Sequence, residues 1–229
     1  MYNFSILIGN DIAESFEEKL KVSSQLYMNN IEIAGGFDGQ GLVELDGNQL
    51  ESYRNLLIKY SKIITIYSAS ESILNLEHYK ILFRKAHLLN IKNIKLDVKS
   101  YTPLIHKSIN QTIEYYKEIV GMGSSYGIGV LLENQSDTPL AEDKQITNIF
   151  KSIKDDSLGL IFNPLEFVRL KKHPFFHVFY NSKLKNDIQF LRVSDGLFVD
   201  GTGTHPGEGN GEVKELASIL LCRGSDITF

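Results

Sequence analysis

The chain of 229 residues carries 24 Lys+Arg against 28 Asp+Glu, a net charge of −4, with 42% hydrophobic residues, one Cys and no Trp. That length and apolar fraction suit a single sizeable core and exclude a disordered or fibrous chain. A mildly acidic balance with no basic run longer than a pair argues against nucleic acid as a partner, because neutralising phosphates takes clustered Lys and Arg. No apolar stretch approaches the roughly 20 residues that span a bilayer, so no membrane association is expected. Met1 leads directly into a short β-like run, and Cys222 has no partner for an internal disulfide; both point to the cytoplasm.

In chain order, eight short apolar or β-branched runs read as strands: 4–9, 30–35, 63–68, 93–98, 128–134, 158–163, 188–195 and 226–229. Between them lie amphipathic stretches of helical period. The first are Phe16/Leu20/Tyr27, Leu50/Tyr53/Leu57/Tyr60 and Leu74/Tyr79/Leu82/Ala86/Leu89. The later ones are Ile105/Ile109/Ile113/Tyr116/Val120, Ile146/Ile149/Ile153, Leu165/Val168 and Val213/Leu216/Leu220. Strict β-α alternation through eight strands predicts an α/β fold of the (β/α)8 TIM-barrel type, a single domain over 1–229. The last run ends at Phe229, so the helix that would follow it is expected to be missing.

Active sites of such barrels form at the C-terminal ends of the strands. Period-two alternation puts Gly129, Leu131 and Glu133 on one face of strand five and Gly159, Ile161 and Asn163 on one face of strand six. In strand seven Phe190, Arg192 and Ser194 share the inward face. Strand two contributes Glu32, and strand four Lys95 and Asp97. The loop from Gly201 to Gly211 is rich in Gly around Pro206, contains His205, Gly207, Glu208 and Gly209, and precedes a helix, a pattern that suits anion binding by backbone N–H groups. An anion is therefore expected between Arg192 and Gly207–Gly211. The second Gly-rich loop, 35–41, lacks a phosphate-loop ending and reads as a plain turn. The histidines at 78, 87, 106, 173 and 177 read as surface residues without metal-ligand spacing, and Cys222 as a buried small hydrophobe. No nucleophile elbow occurs.

Glu133-Asn134 at the end of strand five, Arg192–Gly196 at the end of strand seven, Pro206–Gly209 and Ile31-Glu32-Ile33 together resemble the xylose-isomerase-like TIM-barrel superfamily of sugar phosphate isomerases and epimerases. The resemblance implies a divalent metal held by Glu, Asp, His and Glu at the ends of strands five to eight. Only Glu133 matches that set, since Asn163 and Arg192 occupy the Asp and His positions and the sequence ends at Phe229. No cofactor is therefore expected; a metal, if bound, would be a divalent cation such as Mn, Mg, Zn or Co. The implied activity is that of an isomerase or epimerase on a small sugar or sugar phosphate. Glu133, Glu32 and Asp97 would be the acid/base groups, and Arg192, Asn163, Lys95, Asp195, His205, Gly207, Glu208 and Gly209 the substrate-binding groups. The alternative is a non-catalytic descendant that binds a sugar or a partner protein. A homodimer is expected in either case.

Overall fold

In a computed structural model of the chain the described residues are 3–69, 75–97, 109–138, 140–222 and 227–229. The expected positions Leu74, Val98, Ile105, His106 and Asp226 lie outside them. Seven strands follow one another in chain order as neighbours in one sheet, and every described pairing between them is parallel. Residues Phe4–Leu131 form one compact unit; Leu132–Phe229 together with Asn3 form a second.

The first unit holds β1 (Ser5–Ile8), α1 (Phe16–Gln25), β2 (Asn30–Ala34), α2 (Gly47–Lys59), β3 (Ile63–Ser68), α3 (Leu76–Leu88), β4 (Asn93–Lys95), α4 (Ile109–Ser125) and the start of β5 (Gly129–Glu133). Its helices begin where the sequence supplies acceptors for the orphan N–H groups of a first turn. Ser15 with Glu18 and Asp46 with Gln49 form capping boxes, and Asn75 caps α3. The helix ends are less legible in the sequence. After α1, α2 and α3 the chain turns through left-handed residues at Tyr27, Ser61 and Asn90, with φ of 57°, 52° and 56°, where glycine is the usual occupant. An aromatic cluster of Phe16, Phe37, Tyr53 and Tyr67, with ring centroids 4.9–5.9 Å apart, fills the space under the 35–41 loop. That loop is a two-residue hairpin turn: Phe37 and Gln40 exchange both backbone bonds across Asp38 and Gly39, which both have positive φ.

The second unit holds the end of β5, α5 (Asp143–Ile153), β6 (Leu158–Phe162), α6 (Pro164–Arg169), a π-helical turn (Pro174–Phe179), a 3-10 turn (Leu184–Asn186), β7 (Ile188–Leu191), the two-residue strands β8 (Asp195–Gly196) and β9 (Gly203–Thr204), and α7 (Val213–Cys222). Strand seven is thus shorter than expected. Its ladder ends as Arg192 N donates to Phe162 O, and Asp195–Gly196 pairs instead in an antiparallel hairpin with Gly203–Thr204. The eighth run is a bridge rather than a strand among the described residues, Thr228 pairing in parallel with both Phe190 and Asn3. Cys222 is exposed, contrary to expectation. Val213, Leu216 and Leu220 share the buried stripe of α7, and a residue two past Leu220 falls about 200° round the helix from it.

Candidate functional site

The ends of β5, β6 and β7 bring three of the expected residues together within the second unit. Period-two alternation along β5 places Glu133 on the inner face, where it is only 5% exposed. The next residue, Asn134, turns its side chain into a stand-in for a peptide group: Oδ1 accepts from Asn163 N at 2.7 Å and Nδ2 donates to Asn163 O at 2.9 Å. That pair of hydrogen bonds fixes the backbone of Asn163, which is also the N-cap of α6 with Pro164 at the first helical position. The Asn163 side chain is left to bridge two neighbours, its Nδ2 donating to Glu133 Oε1 at 2.8 Å and its Oδ1 accepting from Ser194 Oγ at 2.7 Å. Arg192 grips the same carboxylate side-on, with Nε 3.2 Å from Oε1 and Nη2 3.2 Å from Oε2. The two formal charges cancel within a fork geometry that favours carboxylate recognition.

The Gly-rich loop does hold an anion, but an internal one. Asp195, 2% exposed, takes the N–H groups of Gly207 (2.9 Å), Gly209 (3.1 Å) and Gly211 (2.6 Å), and also that of Gly196 (2.8 Å). The amides assigned from sequence to an external anion are therefore engaged by this carboxylate. Glycine is required at 209 and 211 for the same reason: a Cβ at 211 would lie 2.6 Å from Asp195 Oδ1, and one at 209 would collide with Asp195 Oδ1 and Gly196 O. His205 and Glu208 stand exposed on this loop, joined by a backbone bond from Glu208 N to His205 O.

Glu32, Lys95 and Asp97 belong to the other compact unit. Glu32 is buried and accepts from Ser68 Oγ at 2.6 Å; Lys95 is half-buried on β4, and Asp97 lies past the end of that strand. Sequence reasoning missed Asn134 as the fixer of Asn163, Ser194 as its hydroxyl partner, and Glu166, whose carboxylate accepts from Ser136 N (2.8 Å) and Ser136 Oγ (2.7 Å) and pairs with Arg169. The last carried a signal, an acidic residue in the first turn of a helix opened by Asn-Pro. His173, expected as a surface residue, is half-buried with Nδ1 2.8 Å from Glu212, whose other oxygen accepts from Phe175 N at the start of the π-helical turn.

No protein-family model matches the sequence, and no curated protein matches it. Solved structures do match along almost the whole chain. A xylose isomerase domain protein from Planctomyces limnophilus superposes with a TM-score of 0.75 at 12% identity, over 99% of this chain and 90% of that one. This chain has the xylose-isomerase-like TIM-barrel fold. A D-tagatose 3-epimerase-like protein (TM-score 0.72, 17% identity, 97% of this chain and 88% of that one) shares that fold. So does a xylose isomerase-like TIM-barrel protein from Mycobacterium smegmatis in complex with magnesium (0.74, 16%, 100% and 89%).

A xylose-isomerase-like barrel implies a divalent cation, and the donor set here does not fit one. Both oxygens of Glu133 face Arg192, the Asn163 amide is shared between Glu133 and Ser194, and the strand-seven position carries a fixed positive charge. Hard divalent cations want several anionic oxygens free to converge. Among the described residues no three His, Cys, Asp or Glu side chains do so.

Proposed function

We propose that this xylose-isomerase-like barrel binds a small neutral sugar at the ends of β5, β6 and β7 without a resident divalent cation. One observation carries the reading: Glu133 and Arg192 satisfy each other side-on, while Asn163 and Ser194 extend the network with neutral donors and acceptors. A sugar hydroxyl both donates and accepts, and such a surface offers both. The engagement of the loop amides by Asp195 further favours a free sugar over a sugar phosphate. Calorimetric titration with free hexoses, D-tagatose among them, tests this in the presence of a chelator. Binding that survives chelation and fails in Asn163→Ala supports the reading; binding that requires added Mn or Mg, or is seen only with phosphorylated sugars, refutes it.

A second reading is favoured by the fold itself, which is shared with an epimerase-like protein: isomerase or epimerase turnover with Glu133 as the acid/base group. Its test is an aldose–ketose panel in which Glu133→Gln abolishes activity. Both Glu133 oxygens are already engaged, Oε1 by Asn163 and Arg192 and Oε2 by Arg192, so the binding reading stands first. We also propose a cytoplasmic homodimer, tested by sedimentation at micromolar concentration; a single 25.9 kDa species contradicts the dimer. No described helix is long and apolar enough to cross a membrane.

A further inference from the structure

The first compact unit carries a groove of about 500 Å³ between the C-terminal ends of α2 and α3 and the start of β3. Its floor is apolar, and three of the side chains lining it are well exposed: Ile58 at 67%, Leu88 at 51% and Ile63 at 44%. Large apolar side chains clustered in the open mark interaction surfaces more often than chance. The polar lining consists of Arg54, Ser61, Lys62, His87 and Asn90, so its formal charges are the two cations Arg54 and Lys62, with no Asp or Glu among the described lining residues. Lys62 is tied to Met28 O at 2.8 Å, and His87 Nδ1 lies 3.0 Å from Tyr126 O, so it donates there. Arg54 is exposed and, among the described residues, has no ion pair and no side-chain hydrogen bond. It sits more than a turn before the end of α2, beyond the reach of the negative helix terminus that accounts for cations nearer the end.

The apolar face continues past the groove. Leu26 is 51% exposed, and Tyr27, one residue before the Met28 carbonyl that receives Lys62, is 93% exposed in a left-handed conformation. A bulky residue at a position that favours glycine is strained, and a Tyr side chain lying almost wholly in solvent offsets none of that strain by packing within its own chain. Tyr and Arg are the residue types that anchor protein interfaces.

We propose that this face docks an acidic amphipathic helix of another protein, its apolar ridge in the groove and its carboxylates against Arg54. The exposed apolar side chains lie on three elements, Leu88 at the end of α3, Ile58 in α2 and Ile63 at the start of β3, with Leu26 and Tyr27 following α1. A second copy of this chain docked groove to groove would set Arg54 and Lys62 against like charges, which opposes that self-association.

The test uses the full chain and two labelled synthetic peptides of about 18 residues, or about five helical turns. One has Leu along one face and Glu on the other; the second has Lys in place of every Glu. In fluorescence anisotropy the Glu peptide binds at least about tenfold more tightly than the Lys peptide, the scale of one charge-assisted hydrogen bond formed and one like-charge repulsion avoided. Arg54→Glu reverses that order and Tyr27→Ala weakens the Glu peptide, with the far-UV spectrum and melting unchanged because both side chains are exposed. Equal affinity for the two peptides, an order unchanged by Arg54→Glu, or no binding of the Glu peptide overturns the proposal. Two further results also overturn it: a self-association that Arg54→Glu alters in sedimentation, which makes a second copy the occupant, or binding of added octanoate in the groove with binding of neither peptide, which makes it a small-molecule site.

Discussion

Asp195→Asn should release the Gly-rich loop without unfolding the chain. In the native protein the carboxylate accepts four backbone N–H groups, Gly196 and Gly211 on Oδ1, Gly207 and Gly209 on Oδ2. An amide has the same shape but only one acceptor oxygen, so whichever way it turns, an NH2 group faces two backbone donors. The cheaper orientation turns the NH2 toward Gly207, which is exposed, and Gly209, which is half-buried, since water can reach both. Hydrogen bonds to a charged group are worth about 1.5–3 kcal/mol each, and solvation of the freed amides returns part of two of them. The local penalty is then about 2–4 kcal/mol, or a rise of roughly 30- to 900-fold in the opening equilibrium of the loop. Amide hydrogen exchange followed by NMR measures this directly. Exchange at Gly207, Gly209 and Gly211 accelerates within that range, exchange in β6 is unchanged, and Glu208→Ala, which alters an exposed side chain, leaves all of them alone. Unaltered protection of the three glycines in Asp195→Asn would refute the role given to this carboxylate.

Arg192→Met removes the guanidinium from a Glu133 that is 5% exposed and should lower stability by about 3 kcal/mol, whereas adding Glu133→Gln should recover more than half of that loss in a denaturant double-mutant cycle completed by Glu133→Gln alone; additive losses would mean the two are not coupled. Burial, and then the hydrogen bond its hydroxyl gives to Asp38 (2.9 Å), push the Tyr53 phenol up to about 12. Because that folded value lies above the ordinary tyrosine value, Tyr53 contributes stability that is complete below about pH 10 and is lost as pH rises toward 12; Tyr53→Phe should flatten alkaline unfolding over that window, and an unchanged profile would contradict the assignment. Burial lowers the Lys19 ammonium below its ordinary range, with Asn10 Oδ1 accepting from it at 2.6 Å. The unfolded chain holds that proton more tightly, so stability should rise with pH between the lowered value and 10.5, and Lys19→Met should abolish that rise while changing stability at neutral pH by about 1 kcal/mol or less. A loss of several kcal/mol in Lys19→Met would show instead that the ammonium is an essential strut.

How far the sequence speaks depends on what kind of interaction fixes each part. Strands β2 to β6 lie within a residue or two of their apolar runs except where β4 stops at Lys95, because burial on both faces of a parallel strand writes a continuous apolar signature. The inward aim of Glu133, Asn163 and Arg192 follows from period-two alternation along strands whose core register burial dictates. The pairing of those side chains with one another does not follow, since alternation gives a face and says nothing of which groups on it meet. Asp195 shows the limit most clearly. The Gly spacing of 207, 209 and 211 was legible as a cradle for negative charge, but the charge lies 12 to 16 residues earlier in the same chain, and no local pattern links the two. The left-handed turns at Tyr27, Ser61 and Asn90 are hidden for a related reason: packing of the flanking helices imposes a conformation that the residue type alone argues against.

The most direct test of the central claim, a neutral site built around the Glu133–Arg192 fork and needing no cation, is a pair of NMR titrations on one labelled sample. A free hexose should shift the Asn163 side-chain NH2 and the Arg192 Nε–H signals, while Mn²⁺ at the same concentration should leave the Glu133, Asn163 and Arg192 signals unbroadened. Selective paramagnetic broadening of those three residues, with the hexose shifting them only after the metal is added, would contradict the account and make the site metal-dependent.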